Sequence, residues 1–215
     1  MGEISENILS PDEHARITAA IRDAESRTSG EIFCALAGTS DSYFFPAAFI
    51  ATSAILLLSA IVAAVFHYWW IDIRPIVFVA AQLAALATAV LVIATFPRLR
   101  VRLVPRRIRY RRAHGNALRQ FLAHNIHVTE SRTGVLIFVS LAERYAEVVA
   151  DAGINSLVDQ STWNDTVAAL IRHAAAARLA DGFVEAIGRV GTVLAEHFPP
   201  GAENPNELDD HLAEI

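Results

Sequence analysis

The sequence has no lysine, so all 18 of its basic residues are arginine. It has a single cysteine, Cys34, which excludes an internal disulfide and is typical of a protein in a reducing compartment. Residues 1–30 contain no apolar stretch followed by a small-residue cleavage site, so no secretory signal is expected. The H-E-x-x-H zinc motif, the G-x-S-x-G nucleophile elbow and a glycine-rich phosphate loop are also missing. These absences argue against the commonest hydrolase and nucleotide-binding classes.

Charge is absent from two long apolar runs, residues 44–66 and 76–96. At about 1.5 Å per residue, a helix over either run can cross a hydrocarbon core of roughly 30 Å. The short connector contains a Tyr-Trp-Trp sequence at residues 68–70, side chains that favour the headgroup layer. Gln82, the only strongly polar side chain of the second run, is expected to contact a neighbouring helix. The sequence therefore predicts a membrane protein whose two transmembrane helices form a hairpin.

Arginine is concentrated directly after the second apolar run, in residues 98–112. Eight of the 18 basic residues are found there: Arg98, Arg100, Arg102, Arg106, Arg107, Arg109, Arg111 and Arg112. Positive charge beside a membrane helix is retained on the cytoplasmic side and attracts anionic lipid headgroups. We therefore expect a two-span protein of the cell inner membrane with both termini in the cytoplasm, and the lipid bilayer as its partner. A nucleic-acid partner is not expected, because only Tyr110 interleaves the arginines with an aromatic ring.

The rest of the chain alternates between amphipathic helices and short strands. Residues 10–41 predict a helix, begun by a capping box of Ser10 and Glu13, and then the strand EIFCALA, which is apolar on both faces. Residues 113–199 predict a helix, the strand VLIFVS, an antiparallel strand YAEVVA and two further helices. One small sheet with helices on both faces accounts for this order. The expected fold is an α/β/α sandwich interrupted by the membrane hairpin.

Two finer expectations concern the helix after the arginines and the end of the chain. In residues 113–125, we expect Leu118, Phe121 and Leu122 to face inward. Residues 200–215 are acidic, and we expect a flexible tail there.

Five short features occur in order outside the hairpin: AESRTSGEI, RTGVLIFVSLAER, ADAGI, a tryptophan that opens the next helix, and LAEHFP. Together they resemble the TPM domain, the family of the thylakoid-lumen acid phosphatase and of proteins tied to photosystem repair. The resemblance covers nearly all of the soluble part, roughly residues 8–199. It implies an α/β/α sandwich around a small mixed sheet. The hairpin departs from the family pattern, in which a signal peptide and often a C-terminal membrane helix are found.

The resemblance also implies a candidate cation site. Some family members are described as phosphatases or bind divalent cations through acids at the edge of the sheet. The matching acids here are Glu31 in TSGEI, Asp151 in ADAGI and Glu143 in LAER, which would hold Ca²⁺ or Mg²⁺. By position alone, the residues favour structural roles over cation binding: Asp151 as the cap of the turn that it begins, and Glu31 as a surface carboxylate near Arg27. The Asp-Asn-Gly turn of the family is replaced here by Arg132-Thr133-Gly134.

The sequence is compatible with two functions. The first is a membrane-anchored interaction or assembly module that faces the cytoplasm and binds a protein partner. The alternative is a divalent-cation-dependent phosphomonoesterase, in which Asp151 and Glu31 bind a cation that stabilises charge on the transferring phosphoryl group. The two functions differ in whether the acids bind a cation. The missing nucleophile and phosphate loop favour the module.

Overall fold

The computed structural model of the protein describes residues 8–129, 132–200 and 206–215. Within these ranges it contains eight α-helices and one four-stranded sheet. The chain divides into an α/β unit, which runs up to Ser40 and resumes at Tyr110, and a helical unit, Asp41–Arg109. The elements in chain order are α1 (Pro11–Glu25), β1 (Glu31–Ala37), α2 (Phe44–Tyr68), α3 (Pro75–Thr95), α4 (Pro97–Leu103), α5 (Arg106–Ala123), a 3₁₀ turn (Ile126–Val128), β2 (Gly134–Ser140), β3 (Tyr145–Ala150), α6 (Ala152–Asn155), α7 (Gln160–Ala175), α8 (Leu179–His197) and β4 (Leu212–Glu214).

The sheet is mixed, with the strand order β3-β2-β1-β4. Strands β1 and β2 are parallel, and their register runs from Glu31 opposite Gly134 to Ala37 opposite Ser140. Strand β3 is antiparallel to β2, which confirms the predicted hairpin. Every residue of β1 and β2 is buried, as expected for central strands that are apolar on both faces.

Helices cover both faces of this sheet and confirm the α/β/α sandwich. On one face, the even-numbered residues of β1 and the odd-numbered residues of β2 form a core cluster with residues of α1, α7 and α8. On the other face, the odd-numbered residues of β1 and the even-numbered residues of β2 form a second cluster with residues of α5 and the 3₁₀ turn. Helix α1 begins with the predicted capping box, in which Ser10 and Glu13 each accept a backbone N–H of the other. Because successive side chains of β1 and β2 point to opposite faces of the sheet, these strands contribute to two separate cores.

The predicted flexible tail is wrong for residues 206–215. Leu212–Glu214 forms β4, which pairs in parallel with β1 from Cys34 to Leu36. The Ile215 amide donates to the Leu36 carbonyl at 2.9 Å, and the Leu212 side chain is buried. An edge strand this short has no periodic signal of its own, because the unpaired edge of β1 supplies its partners. Residues 201–205 of the predicted tail lie outside the described residues.

Helix α5 differs from its predicted boundaries and its predicted inward face. It begins at Arg106, inside the arginine-rich segment, and ends at Ala123. Its buried residues are Ala113, Asn116, Ala117 and Phe121. Leu118 and Leu122 are 40% and 57% exposed, so only Phe121 faces inward as expected. The bulky Phe33 and Phe138 of the sheet fill the second core, where the helix contributes the small Ala117 and the ring of Phe121.

In the helical unit, α2 and α3 are long and apolar enough to cross a membrane. Their most apolar windows are 0% and 6% buried, so apolar side chains cover nearly their whole surface. The Gln82 amide nitrogen donates to the Ser59 hydroxyl at 3.2 Å, which confirms the predicted contact between the two helices. Exposed apolar surface of this extent is typical of helices whose solvent is lipid.

Candidate functional site

The three acids suggested by the sequence lie at two opposite ends of the sheet. Glu31 begins β1, and Asp151 follows the last residue of the antiparallel β3, so both are at the end where β2 begins. Glu143 lies in the turn from β2 to β3, at the carboxyl ends of β1 and β2. The structure therefore does not bring Glu143 into a site with the other two acids.

Glu31 and Asp151 share one end of the sheet but face different partners. Strand β2 separates them, a distance of two strand spacings or about 10 Å. The Glu31 carboxylate accepts the amide of Leu208 at 3.2 Å, in the segment that leads to β4 on the far side of β1. Asp151 caps α6, where one of its oxygens accepts the Ala152 amide at 2.5 Å. Each acid thus has a structural role of its own.

These acids do not fit a closed divalent-cation site. Calcium takes six to eight oxygen ligands at about 2.3–2.6 Å, and protein sites supply several of them. Nowhere in residues 8–129, 132–200 and 206–215 do three or more His, Cys, Asp or Glu side chains gather in a way that could hold a metal. The second carboxylate oxygen of Asp151 is buried and has no hydrogen-bond partner among the described residues. Among the residues that the structure describes at this end, that oxygen is the one feature that favours a cation.

A buried acid that was not predicted from the sequence, Glu25, lies at the end of α1. Its carboxylate accepts the Ile32 amide at 2.8 Å, and burial raises its pKa to about 8. Burial also raises the pKa of Glu31. Asp210, on the C-terminal segment, lies beside both acids and accepts hydrogen bonds from Arg22 and Asn206. The signal was available, because Glu25 lies four residues after the buried Ile21 and so continues the buried face of α1.

At the opposite end of the sheet, Glu143 organises a buried cluster of hydroxyl groups. One of its oxygens accepts the Ser140 hydroxyl at 2.5 Å, and the other accepts the Ser40 amide at 3.0 Å and the Thr39 hydroxyl at 3.3 Å. The hydroxyls of Ser40 and Ser140 are 2.7 Å apart. Because Ser140 donates to Glu143, it is Ser40 that donates to Ser140. The carboxylate thereby anchors the chain at the point where it leaves the α/β unit.

A cavity of about 400 Å³ lies next to this cluster. It is bounded by the end of β2, the turn that contains Glu143, the start of β3 and the second half of α7. Ser140 and Arg144 contribute to its lining, together with apolar side chains of α7. Its volume is within the range of about 300–1,000 Å³ that is usual for small-molecule sites.

The arginine-rich segment forms α4 and the first turns of α5. Six of its eight arginines are exposed: Arg98, Arg102, Arg106, Arg107, Arg111 and Arg112. Arg100 instead donates to the carbonyls of Ile93 and Ala94, both at 2.6 Å, at the end of α3. Cations at the carboxyl end of a helix stabilise its unpaired carbonyls. One arginine therefore closes the second apolar helix, and most of the others present their charge to the surroundings.

Fold and site together define an α/β/α sandwich domain into which a hairpin of two apolar helices is inserted. Comparison with protein-family models and with curated proteins gives no match. The chain is similar in structure to the BA42 protein of the psychrophilic bacterium Bizionia argentinensis, solved by NMR, with a TM-score of 0.61 and 22% sequence identity over 100% of both chains. A similarity at this identity supports the fold alone.

Proposed function

We propose that this protein is a membrane-anchored module of the TPM type, which presents its α/β domain on the cytoplasmic side of the inner membrane and binds a protein partner there. The observation that carries the proposal is the pair of unburied apolar helices, α2 and α3, inserted within one α/β domain. Side chains this apolar are stable on a helix surface only in lipid or against another protein. We favour lipid, because the two helices are long enough to span a bilayer.

The residues at the two ends of the hairpin support this orientation. Tyr68, Trp69 and Trp70 in the connector are 80%, 69% and 93% exposed, and such rings favour a membrane interface. The exposed arginines of α4 and α5 follow the other end, where positive charge is retained in the cytoplasm and attracts anionic lipids. With a hairpin, both connections to the α/β domain lie on the arginine side.

An exposed apolar stripe on α5 supports the binding of a protein partner. Leu118 and Leu122, one helical turn apart, are 40% and 57% exposed, and Val128, in the 3₁₀ turn that follows α5, is 62% exposed. Contiguous apolar surface of this kind marks interaction sites in soluble domains. A photoreactive residue at position 122 should give one discrete adduct in cells, whereas the same residue at the exposed Thr192 of α8 should give none. Adducts at both positions, or at neither, would contradict a specific partner on this face.

Membrane topology is tested by cysteine accessibility. Burial holds the pKa of the native Cys34 thiol well above its usual range, so this cysteine is silent toward maleimides. In intact cells, a membrane-impermeant maleimide should label Trp69→Cys in the connector and spare Ser161→Cys in α7. Inverted membrane vesicles should give the reverse pattern. Labelling of Ser161→Cys in intact cells would place the α/β domain outside the cytoplasm and refute the orientation.

A cation-dependent phosphomonoesterase is the second candidate, favoured by the buried, unpartnered oxygen of Asp151 at the sheet end that also holds Glu31. The test is hydrolysis of a phosphomonoester by the purified full chain with Ca²⁺, with Mg²⁺ and with a chelator. Turnover that needs the cation and is abolished by Asp151→Asn would replace the module as the leading function. Glu196→Gln, which changes an exposed acid of α8, is the matched control.

A further inference from the structure

Neither function above assigns a ligand to the cavity beside Ser140. Its walls are mainly apolar, formed by Val139 and Leu141 of the β2 end and by Leu170 and Ile171 of α7. Ile171 is 45% exposed, so the apolar surface continues from the cavity toward solvent. Among the described residues that line the cavity, Arg144 carries the single charge. A ligand that fits these walls is largely apolar and has one anionic group.

Arg144 stands in a backbone conformation that arginine rarely adopts. It ends the turn from β2 to β3, its amide donates to the Leu141 carbonyl at 3.1 Å, and its φ of 53° is in the left-handed region. Glycine or asparagine is usual at this position of a hairpin loop. No described carboxylate forms an ion pair with the Arg144 guanidinium, and its side chain is exposed at the cavity. Strained residues of this kind cluster at ligand-binding sites.

The other polar groups around the cavity are already occupied. The Ser140 hydroxyl donates to Glu143 and accepts from Ser40, and both oxygens of Glu143 accept hydrogen bonds within the cluster. The Tyr145 hydroxyl donates to Glu147 at 2.9 Å. Recognition of a polar headgroup is therefore left to the guanidinium of Arg144, which pairs best with a planar carboxylate or with a phosphate.

We propose that this cavity binds a single-chain anionic amphiphile, with its acyl chain against the walls of β2 and α7 and its carboxylate or phosphate on Arg144. Such molecules are concentrated in bilayers, where the apolar helices of the same chain would reside. The site would let the α/β domain respond to free fatty acid or lysophospholipid. This proposal depends on the cavity and not on the orientation of the protein in the membrane. The maleimide experiment tests the orientation and the experiment below tests the cavity, so either can fail without the other.

The full chain in phosphatidylcholine nanodiscs is exposed to a fatty acid that carries a photoreactive diazirine, and labelled peptides are mapped by mass spectrometry. Labelling in α2 and α3 reports the bilayer, and labelling in residues 139–146 and 170–175 reports the cavity. Unlabelled palmitate, lysophosphatidate of equal chain length and the uncharged palmityl alcohol are the competitors. Competition by palmitate, by lysophosphatidate or by both identifies the headgroup source, and each of these results supports an anionic amphiphile.

Arg144→Gly removes the cation and relieves the backbone, so it should remain folded. It should lower cavity labelling by about tenfold or more, the effect expected from one charge-assisted hydrogen-bonded pair. Arg132→Gly is the matched control, because Arg132 also has a φ of 53° and is exposed but does not line the cavity. Cavity labelling in the Arg132→Gly variant should match that of the wild type. Unlabelled cavity peptides, unchanged labelling in both Arg144→Gly and Arg144→Asn, or equal competition by palmityl alcohol would overturn the proposal.

Discussion

Glu25→Gln should remove a pH dependence from the stability of the α/β domain. Glu25 is 9% exposed, and burial, together with the nearby charges of Glu31 and Asp210, raises its pKa to about 8. The carboxyl accepts the Ile32 amide, and when it is protonated it can donate a hydrogen bond to Asp210 on the C-terminal segment. Glutamine reproduces the neutral form, because its oxygen can accept from Ile32 and its nitrogen can donate to Asp210.

The sign and the size of this effect follow from linkage. A carboxyl whose pKa is raised by folding stabilises the native state fully below its unfolded value of about 4.5, and this stabilisation is lost as the pH rises through about 8. At about 1.4 kcal/mol per unit, the shift gives an upper bound near 5 kcal/mol. Because the Glu25 residue keeps 9% of its surface exposed, we discount this bound and expect the free energy of unfolding to fall by about 2–3 kcal/mol between pH 5 and pH 9.

Trp163, which is 2% exposed, reports this unfolding when Trp69 and Trp70 are replaced by phenylalanine. Urea titrations of the full chain at pH 5, 7 and 9 should show the loss of stability in this background. The loss of stability should be smaller in the Glu25→Gln variant. This variant should be more stable than the parent at pH 7 and pH 9, but not at pH 5. Glu196→Gln, an exposed substitution in α8, should follow the parent at every pH. Equal pH profiles for the parent and Glu25→Gln would refute the reasoning.

Four further substitutions test packing in both units. Gly191→Ala would place a methyl group 2.7 Å from the Ala24 Cβ and should destabilise the α1–α8 contact by about 1–3 kcal/mol. A methyl group at Gly188 would meet no atom of the described residues within 4 Å, so Gly188→Ala should stabilise α8 by up to about 1 kcal/mol, and urea unfolding compares the two variants. Glu143→Ala leaves the Ser140 hydroxyl and the Ser40 amide without their acceptor and should cost about 2–4 kcal/mol, with faster amide exchange at Ser40. Gln82→Leu removes the bond to Ser59 and should weaken the α2–α3 contact by about 0.6–2 kcal/mol in lipid, as measured by steric trapping; no change would contradict a structural role for this pair.

The local sequence pattern was sufficient to predict the strands that are buried on both faces. The strands EIFCALA and VLIFVS are apolar at every position that packs, so their burial on both sides could be predicted without knowing their neighbours. The capping box at Ser10 depends on residues three apart and was equally predictable. The inward face of α5 was not, because two competing faces are apolar and the bulk of Phe33 and Phe138 decides which one packs.

The candidate site was predictable only as a set of residue types. Glu31, Asp151 and Glu143 could be named from the resemblance, but the reversal of the chain between β2 and β3 decides which end of the sheet each acid occupies. The raised pKa of Glu25 comes first from its burial and then from nearby acids, one of which, Asp210, lies 185 positions later in the chain. The cavity at Arg144 joins a β-hairpin to α7, and no spacing in the sequence records that contact.

The sequence by itself determined that two spans of this chain are suited to lipid and that the rest folds as helices on a small buried sheet, because solvent preference and periodicity are local properties of a segment. The tertiary structure alone decided that the acidic C-terminus completes the sheet as β4, that the three acids are divided between two ends, and that Arg144 faces an apolar cavity. The physical reason is that these features depend on partners supplied by distant segments, and such partners exist only once the chain has closed around its core.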